Sequence, residues 1–272
     1  MLRSRRNLMD RVYRVPMYVC AVHGMLLCLL NALFNFVHIF RDGTFVALLF
    51  APLANLLPRV VCHGIFEVAL VLTIMTWILI PSHSTLQFIA VSRHIFSYNL
   101  SIARRLFAAF ILPVACIVCV AFFAPCFLPS PGFEQIIDQI AHELFSLNQQ
   151  QRVIAYGSTL RFAHINSGRS LLEILIGIVL VPYFFSYALF STCVILIRRR
   201  LGAFGVSLSE RTMKIQRSFY VMQMLQGLLP LAIIAVPLIF FIIGTLLQLS
   251  LDLATLIFTA FLWACPWVQV VQ

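Results

Sequence analysis

The sequence predicts an all-α protein, a polytopic membrane helix bundle of six spans, and three observations carry that reading. Of its 272 residues 62% are hydrophobic and 10% charged, with a mean hydropathy of +1.00, whereas soluble domains carry roughly 25% charged residues. The apolar residues come in runs long enough to cross a bilayer as helices, which takes about 20 residues. The net charge of +10 is bunched in short segments between those runs, the distribution that membrane orientation produces, and nucleic-acid binding is set aside on that ground.

The runs fall at 17–40, 60–91, 106–128, 171–197, 219–247 and 251–272, in a single transmembrane domain. The basic opening MLRSRRNLMDRVYRVP precedes a run too long for the core of a signal peptide and without a clean cleavage site, so that run reads as a span. Residues 43–58 are apolar but short and hold Pro52 and Pro58, which makes them an interfacial loop or helix. The second run is interrupted by Pro81, Ser82, His83, Ser84 and Thr85. It is either one tilted helix of about 30 residues or a span ending near Ile80 with a short second piece. The hydroxyls there either line a cavity wall or repair the backbone bonds that Pro81 removes. The 219–247 run has no ionisable side chain except the Tyr220 phenol, and it grows directly out of a basic foot, Arg211, Lys214 and Arg217. Pro230 and Pro237 each remove a backbone donor and bend it, while Gln223 and Gln226 share a face.

Orientation follows from the cations. Arg3, Arg5, Arg6, Arg11 and Arg14 precede the first span, Arg93, Arg104 and Arg105 lie between the second and third, and Arg198, Arg199, Arg200, Arg211, Lys214 and Arg217 lie between the fourth and fifth. The alternate segments are poorer in cations, and the 129–170 loop also carries Glu134, Asp138 and Glu143. The positive-inside rule therefore places the N-terminus, the Arg93 segment and the triple-arginine segment in the cytoplasm, the 129–170 loop outside, and both chain ends inside.

The stretch from Ser209 to Pro237 resembles the third cytoplasmic loop and sixth helix of the nematode serpentine chemoreceptors, the seven-helix G-protein-coupled superfamily with Str-, Srh-, Srd- and Sri-type members. The matching positions are Ser209, Thr212, Gln216, Arg217, Gln226, Pro230 and Pro237. The resemblance implies a seven-helix receptor-like fold, of which six spans starting inside are what remains when the first helix is missing. The chain is accordingly expected to lack that helix and a cytoplasmic tail. It also implies a chemosensory receptor in the plasma membrane, in a sensory cilium. Its partners would be a small-molecule ligand held between helices and a heterotrimeric G protein, signalling through movement of the 219–247 helix about Gln226, Pro230 and Pro237. The competing reading is a six-helix transporter or channel subunit, against which stands the lack of a half-to-half repeat or of a charged line through the spans.

Candidate residues follow from chemistry at depth. Glu67 is the one carboxylate well inside a predicted span, either an acid of a ligand pocket or a carboxylate reaching the outer interface, and His63 shares its face. His83 and Gln87 are four apart and suited to an interhelical hydrogen bond. Tyr183 and Tyr187 put two phenols on one face beside Pro182, and Trp263 and Trp267 flank Pro266. Both sets are pocket lining or packing. Arg93, Arg198, Arg199, Arg200, Arg211, Lys214 and Arg217 form the cytoplasmic, G-protein-facing set, for which a positive-inside anchor also suffices. Cys62 and Cys126 stand at outer helix ends where many seven-helix receptors carry a bridge, so a disulfide is the implication there.

Enzymatic classes have no support. His-Glu-x-x-His, Gly-x-Ser-x-Gly and a phosphate-binding glycine loop are all missing, and the carboxylates are scattered. Cys116 and Cys119 form a C-x-x-C without a second pair, which reads as packing. No catalytic residue, metal or cofactor is expected.

Overall fold

The computed structural model describes residues 2–41, 44–49, 52–91, 101–123, 135, 139–143, 154–159, 177 and 180–204, together with 221, 224, 225, 227, 228, 239, 243, 247, 257, 259 and 260. The molecule is a helical membrane bundle. Its helices are α1 (Leu2–Phe34), α2 (Pro52–Leu56), α3 (Arg59–Ile78), α4 (Ile80–Val91), α5 (Ile102–Phe123) and α6 (Val181–Phe204). By length and composition Arg59–Ile78, Ile102–Phe122 and Val181–Arg199 can each cross a bilayer, with Tyr18–Phe34 a shorter apolar helix.

To this bundle the structure adds a sheet that the hydropathy reading lacks. α1 stops at Phe34, short of Phe40, because Asn35 turns to φ 46 while its N–H still reaches the Asn31 carbonyl at 2.8 Å. Asn is one of the few residues that tolerates that region. The chain then runs as β1 (Phe36–Arg41) and returns as β2 (Thr44–Leu49), antiparallel, with Phe36 opposite Leu49 and Arg41 opposite Thr44. A third strand, β3 (Ile154–Thr159), pairs antiparallel with β2, Thr44 opposite Thr159, giving the order β1-β2-β3. Aromatic and β-branched residues on both sides of an Asp-Gly dipeptide favour such a hairpin over helix. Ala47, Leu48 and Leu49 are all buried. Successive strand residues face opposite sides, so both faces of β2 are covered. Residues 43–58, expected as one interfacial loop or helix, thus hold a strand and the short α2.

Pro58 starts α3 by lending its carbonyl to the N–H groups of Val61 and Cys62, at 2.9 and 3.1 Å. Over 60–91 the structure has two helical segments that meet at Leu79. Leu79 keeps helical dihedrals (φ −74, ψ −21), so the hydrogen-bond ladder is broken while the rod continues. On α5, Ser101 caps the first turn, its Oγ accepting from the Arg104 N–H at 3.4 Å and its carbonyl from the Arg105 N–H at 3.2 Å.

The α3–α4 rod is the axis of the bundle, with α1, α5, α6 and β3 all packed on it. His23 Nε2 on α1 donates to the Leu72 carbonyl at 2.7 Å. Ser186 meets Trp77 and Cys193 meets Thr85, so residue numbers rise together and α6 runs parallel to α3–α4. One core cluster joins the sheet to the helices, taking Phe36, Leu49, Cys62, Phe66, Trp77 and Tyr183 among others. Outward, α5 presents Phe107, Val114, Val118 and Phe122, all more than half exposed, as a helix does when its surroundings are lipid.

Candidate functional site

The site begins with a missing hydrogen. Pro81 has no N–H, so the carbonyl four residues earlier, that of Trp77, loses the donor it would have in an unbroken helix. One of the two sequence readings gave the repair to Ser82, Ser84 and Thr85. The structure gives it to another helix: Ser186 Oγ on α6 donates to the Trp77 carbonyl at 2.6 Å, fully buried. The hydroxyls of Ser82 and Ser84 are buried too, but Ser82 Oγ has no hydrogen-bond partner among the described residues. Thr85 Oγ1 lies 3.8 Å from Cys193 Sγ, a second contact of α6 with the rod, here on α4.

Around this joint the rings gather. Trp77 and Tyr183 meet edge-on with centroids 6.1 Å apart, Tyr183 and Tyr187 stand 4.8 Å apart, and Tyr187 meets Phe190 at 6.4 Å. Tyr183, Tyr187 and Phe190 recur at the four- and three-residue spacing that makes one stripe of a helix. Trp77 and Tyr183 are 4% and 6% exposed, and their polar atoms, the indole Nε1–H and the phenol oxygen, have no hydrogen-bond partner among the described residues. Buried polar groups are ordinarily paired, so two orphans in one cluster mark a place where a further hydrogen-bonding group fits. Gln87, 7% exposed, adds a buried carbonyl oxygen without a partner among those residues, one and a half turns beyond Pro81 on α4.

Of the residues singled out from sequence, the structure brings Tyr183 and Tyr187 together beside Trp77 of α3 and puts Gln87 on α4. Glu67 stands apart from them. It pairs with His63 Nε2 at 3.5 Å, both side chains about four-fifths buried, roughly 15 Å up α3 from Trp77 at 1.5 Å per residue. His83 is half-buried on α4. Among the described residues Cys62 is a free thiol whose Sγ donates to the Ala54 carbonyl of α2 at 3.3 Å; Cys126 lies outside the described residues. Arg198 and Arg199 are exposed at the end of α6, where Arg200 continues the helix. Trp263, Arg93, Arg211, Lys214, Arg217, Gln226, Pro230 and Pro237 lie outside the described residues.

Sequence reasoning missed Trp77, Ser186, Phe190 and Thr259. The signal for Trp77 was available, since a proline at 81 names the carbonyl it orphans. Nothing local names Ser186, which is 109 residues away. Thr259, on the last predicted span, holds the free edge of β1: its Oγ1 accepts from the His38 N–H at 3.1 Å and lies 3.4 Å from the His38 carbonyl.

Comparison with known proteins bears on what this arrangement is for. The family model described as serpentine type 7TM GPCR chemoreceptor Str matches residues 3–269. No curated protein and no solved structure matches the chain.

Proposed function

The chain belongs to the Str family of serpentine seven-helix GPCR chemoreceptors, and from that premise we propose that it binds a small, largely apolar molecule between its helices and signals to a heterotrimeric G protein by moving the 219–247 helix. The observation that carries the reading is the aromatic cluster of α3 and α6. Two nine-tenths-buried hydrogen-bonding groups, Trp77 Nε1 and the Tyr183 hydroxyl, stand there among rings without partners among the described residues. A neutral ligand of mostly apolar surface would satisfy them and bury against the rings. Tyr187 completes the set we assign to ligand contact. Glu67, His83, Gln87 and Trp263 are kept as lining outside this cluster.

The topology is part of the proposal: six spans, the N-terminus and the arginine-rich segments cytoplasmic, the sheet outside. Two features support it. Pairing of β2 with both β1 and β3 requires residues 36–49 and 154–159 to share one side of the membrane. The parallel course of α3–α4 and α6 requires both to enter from the same side. Arg93, Arg198, Arg199, Arg200, Arg211, Lys214 and Arg217 then face the G protein, in the plasma membrane of a sensory cilium.

The test is expression in cells carrying a G-protein-coupled reporter, screened against a panel of small volatile molecules. Tyr183→Phe or Trp77→Phe should raise the half-maximal concentration of an active compound by about two- to twelvefold, the worth of one buried hydrogen bond. A compound-evoked current or uptake that persists without any G protein would instead favour the transporter reading.

A further inference from the structure

Gly227 is buried and helical, within the predicted 219–247 span, and a Cβ built there would overlap three atoms at the tip of the Phe190 ring, Cζ, Cε1 and Cε2. The ring therefore rests on bare backbone, a closeness that only glycine permits. Phe190 is itself 5% exposed and closes the series Trp77, Tyr183, Tyr187, Phe190 described above. The series thus runs without a gap from the broken midpoint of the α3–α4 rod to one turn of another helix.

That turn is a weak one. By sequence, Pro230 follows Gly227 three residues later, and a proline has no N–H to give to a helix. Glycine itself lowers helix stability by about 1 kcal/mol relative to alanine. A rigid ring seated on such a turn can have two positions, on the backbone or displaced from it, and packed cores convert small shifts into discrete alternatives of this kind.

We propose that Phe190 is the positioning residue through which the aromatic cluster sets the conformation of the 219–247 helix, with Gly227 as its seat. The proposal rests on the reading that this helix moves in signalling. A ligand that hydrogen-bonds Trp77 or Tyr183 shifts Tyr187, and Phe190 follows, because its neighbour along the stripe is the ring that moved. Such coupling shows as a measured interaction between the two ends.

The experiment is a distance measurement on the full chain in lipid nanodiscs, with spin labels on unnatural amino acids at positions 199 and 214, which leaves the native cysteines in place. Gly227→Ala should shift the distance distribution, and Phe190→Leu added to Gly227→Ala should return it. Tyr187→Ala should shift it as Phe190→Ala does, whereas Phe185→Ala, at a position 64% exposed on the other side of α6, should not. Basal G-protein activation, read on the same variants without labels, should change with the distance, by about 5- to 150-fold if the coupling is of ordinary allosteric size. An unmoved distribution in Gly227→Ala, or a double variant as shifted as the single one, overturns the proposal. If Gly227→Ala fails to fold, recovery of folding by Phe190→Leu supports the seat, and continued failure overturns it. Distances that shift in a protein that activates no G protein would leave the seat standing and remove the receptor mechanism. Coupling to a G protein with distances indifferent to residue 227 would do the reverse.

Discussion

Replacing Ser186 by alanine isolates the joint at the centre of the bundle. In the native background the change removes the hydroxyl that answers the Trp77 carbonyl at 2.6 Å, and Pro81 ensures that no backbone N–H takes its place. Interhelical hydrogen bonds in membranes average about 0.6 kcal/mol and reach about 1.7, while a buried acceptor left alone costs about 1–3 kcal/mol. Ser186→Ala should therefore destabilise by about 1–2 kcal/mol, the top of the membrane range. In a Pro81→Ala background residue 81 regains an N–H aimed at the same carbonyl, and Ser186→Ala should then cost only a few tenths, a coupling of about 1 kcal/mol between the two sites. Reversible SDS titration in mixed micelles, followed by far-UV circular dichroism, measures all four corners of the cycle. Ser82→Ala is the control: its hydroxyl is fully buried without a partner among the described residues, so its removal should be neutral or mildly stabilising. Equal losses in the native and Pro81→Ala backgrounds, or a larger loss from Ser82→Ala than from Ser186→Ala, would refute the repair argument.

Three further outcomes are expected. Thr259→Val should release the β1 edge, seen as faster hydrogen exchange at the His38 amide with the exchange of α3 unchanged, because one buried hydrogen bond of about 0.5–1.5 kcal/mol is lost locally. His23→Phe should loosen α1 from α3 by about 0.6–1.7 kcal/mol in the same SDS titration, since the 2.7 Å bond to Leu72 is interhelical. Epitope tags placed before Met17 and beside Gln150 should label from opposite faces of an intact cell, and labelling from one face would dismantle the orientation together with the assignment of the basic segments to the G protein.

Some of this molecule can be read residue by residue. The apolar runs behind α3, α5 and α6 are visible because transfer into lipid is a local quantity, summed over each stretch of about 20 residues without reference to any other. Pro81 could be recognised as a break for the same reason, since the missing N–H belongs to the residue itself. The hairpin was half legible. Asp42-Gly43 between two β-favouring runs is a strong local signal, but hydropathy gave Phe36 to Phe40 to the first helix, because an apolar strand and an apolar helix look alike to a scale that counts only burial.

Everything that required a second segment was decided by tertiary structure. Which hydroxyl would answer the Trp77 carbonyl depended on a helix 109 residues further on, and the strand completing the sheet came from the loop before α6, at Ile154–Thr159. Cys62 turned to the α2 carbonyl of Ala54, and the backbone at Gly227 became a seat only because Phe190 arrives there. The division is physical: dissolving a segment in a bilayer is a property of that segment, whereas pairing a polar atom or filling a contact is a property of two, and one chain written in order does not say which two will meet.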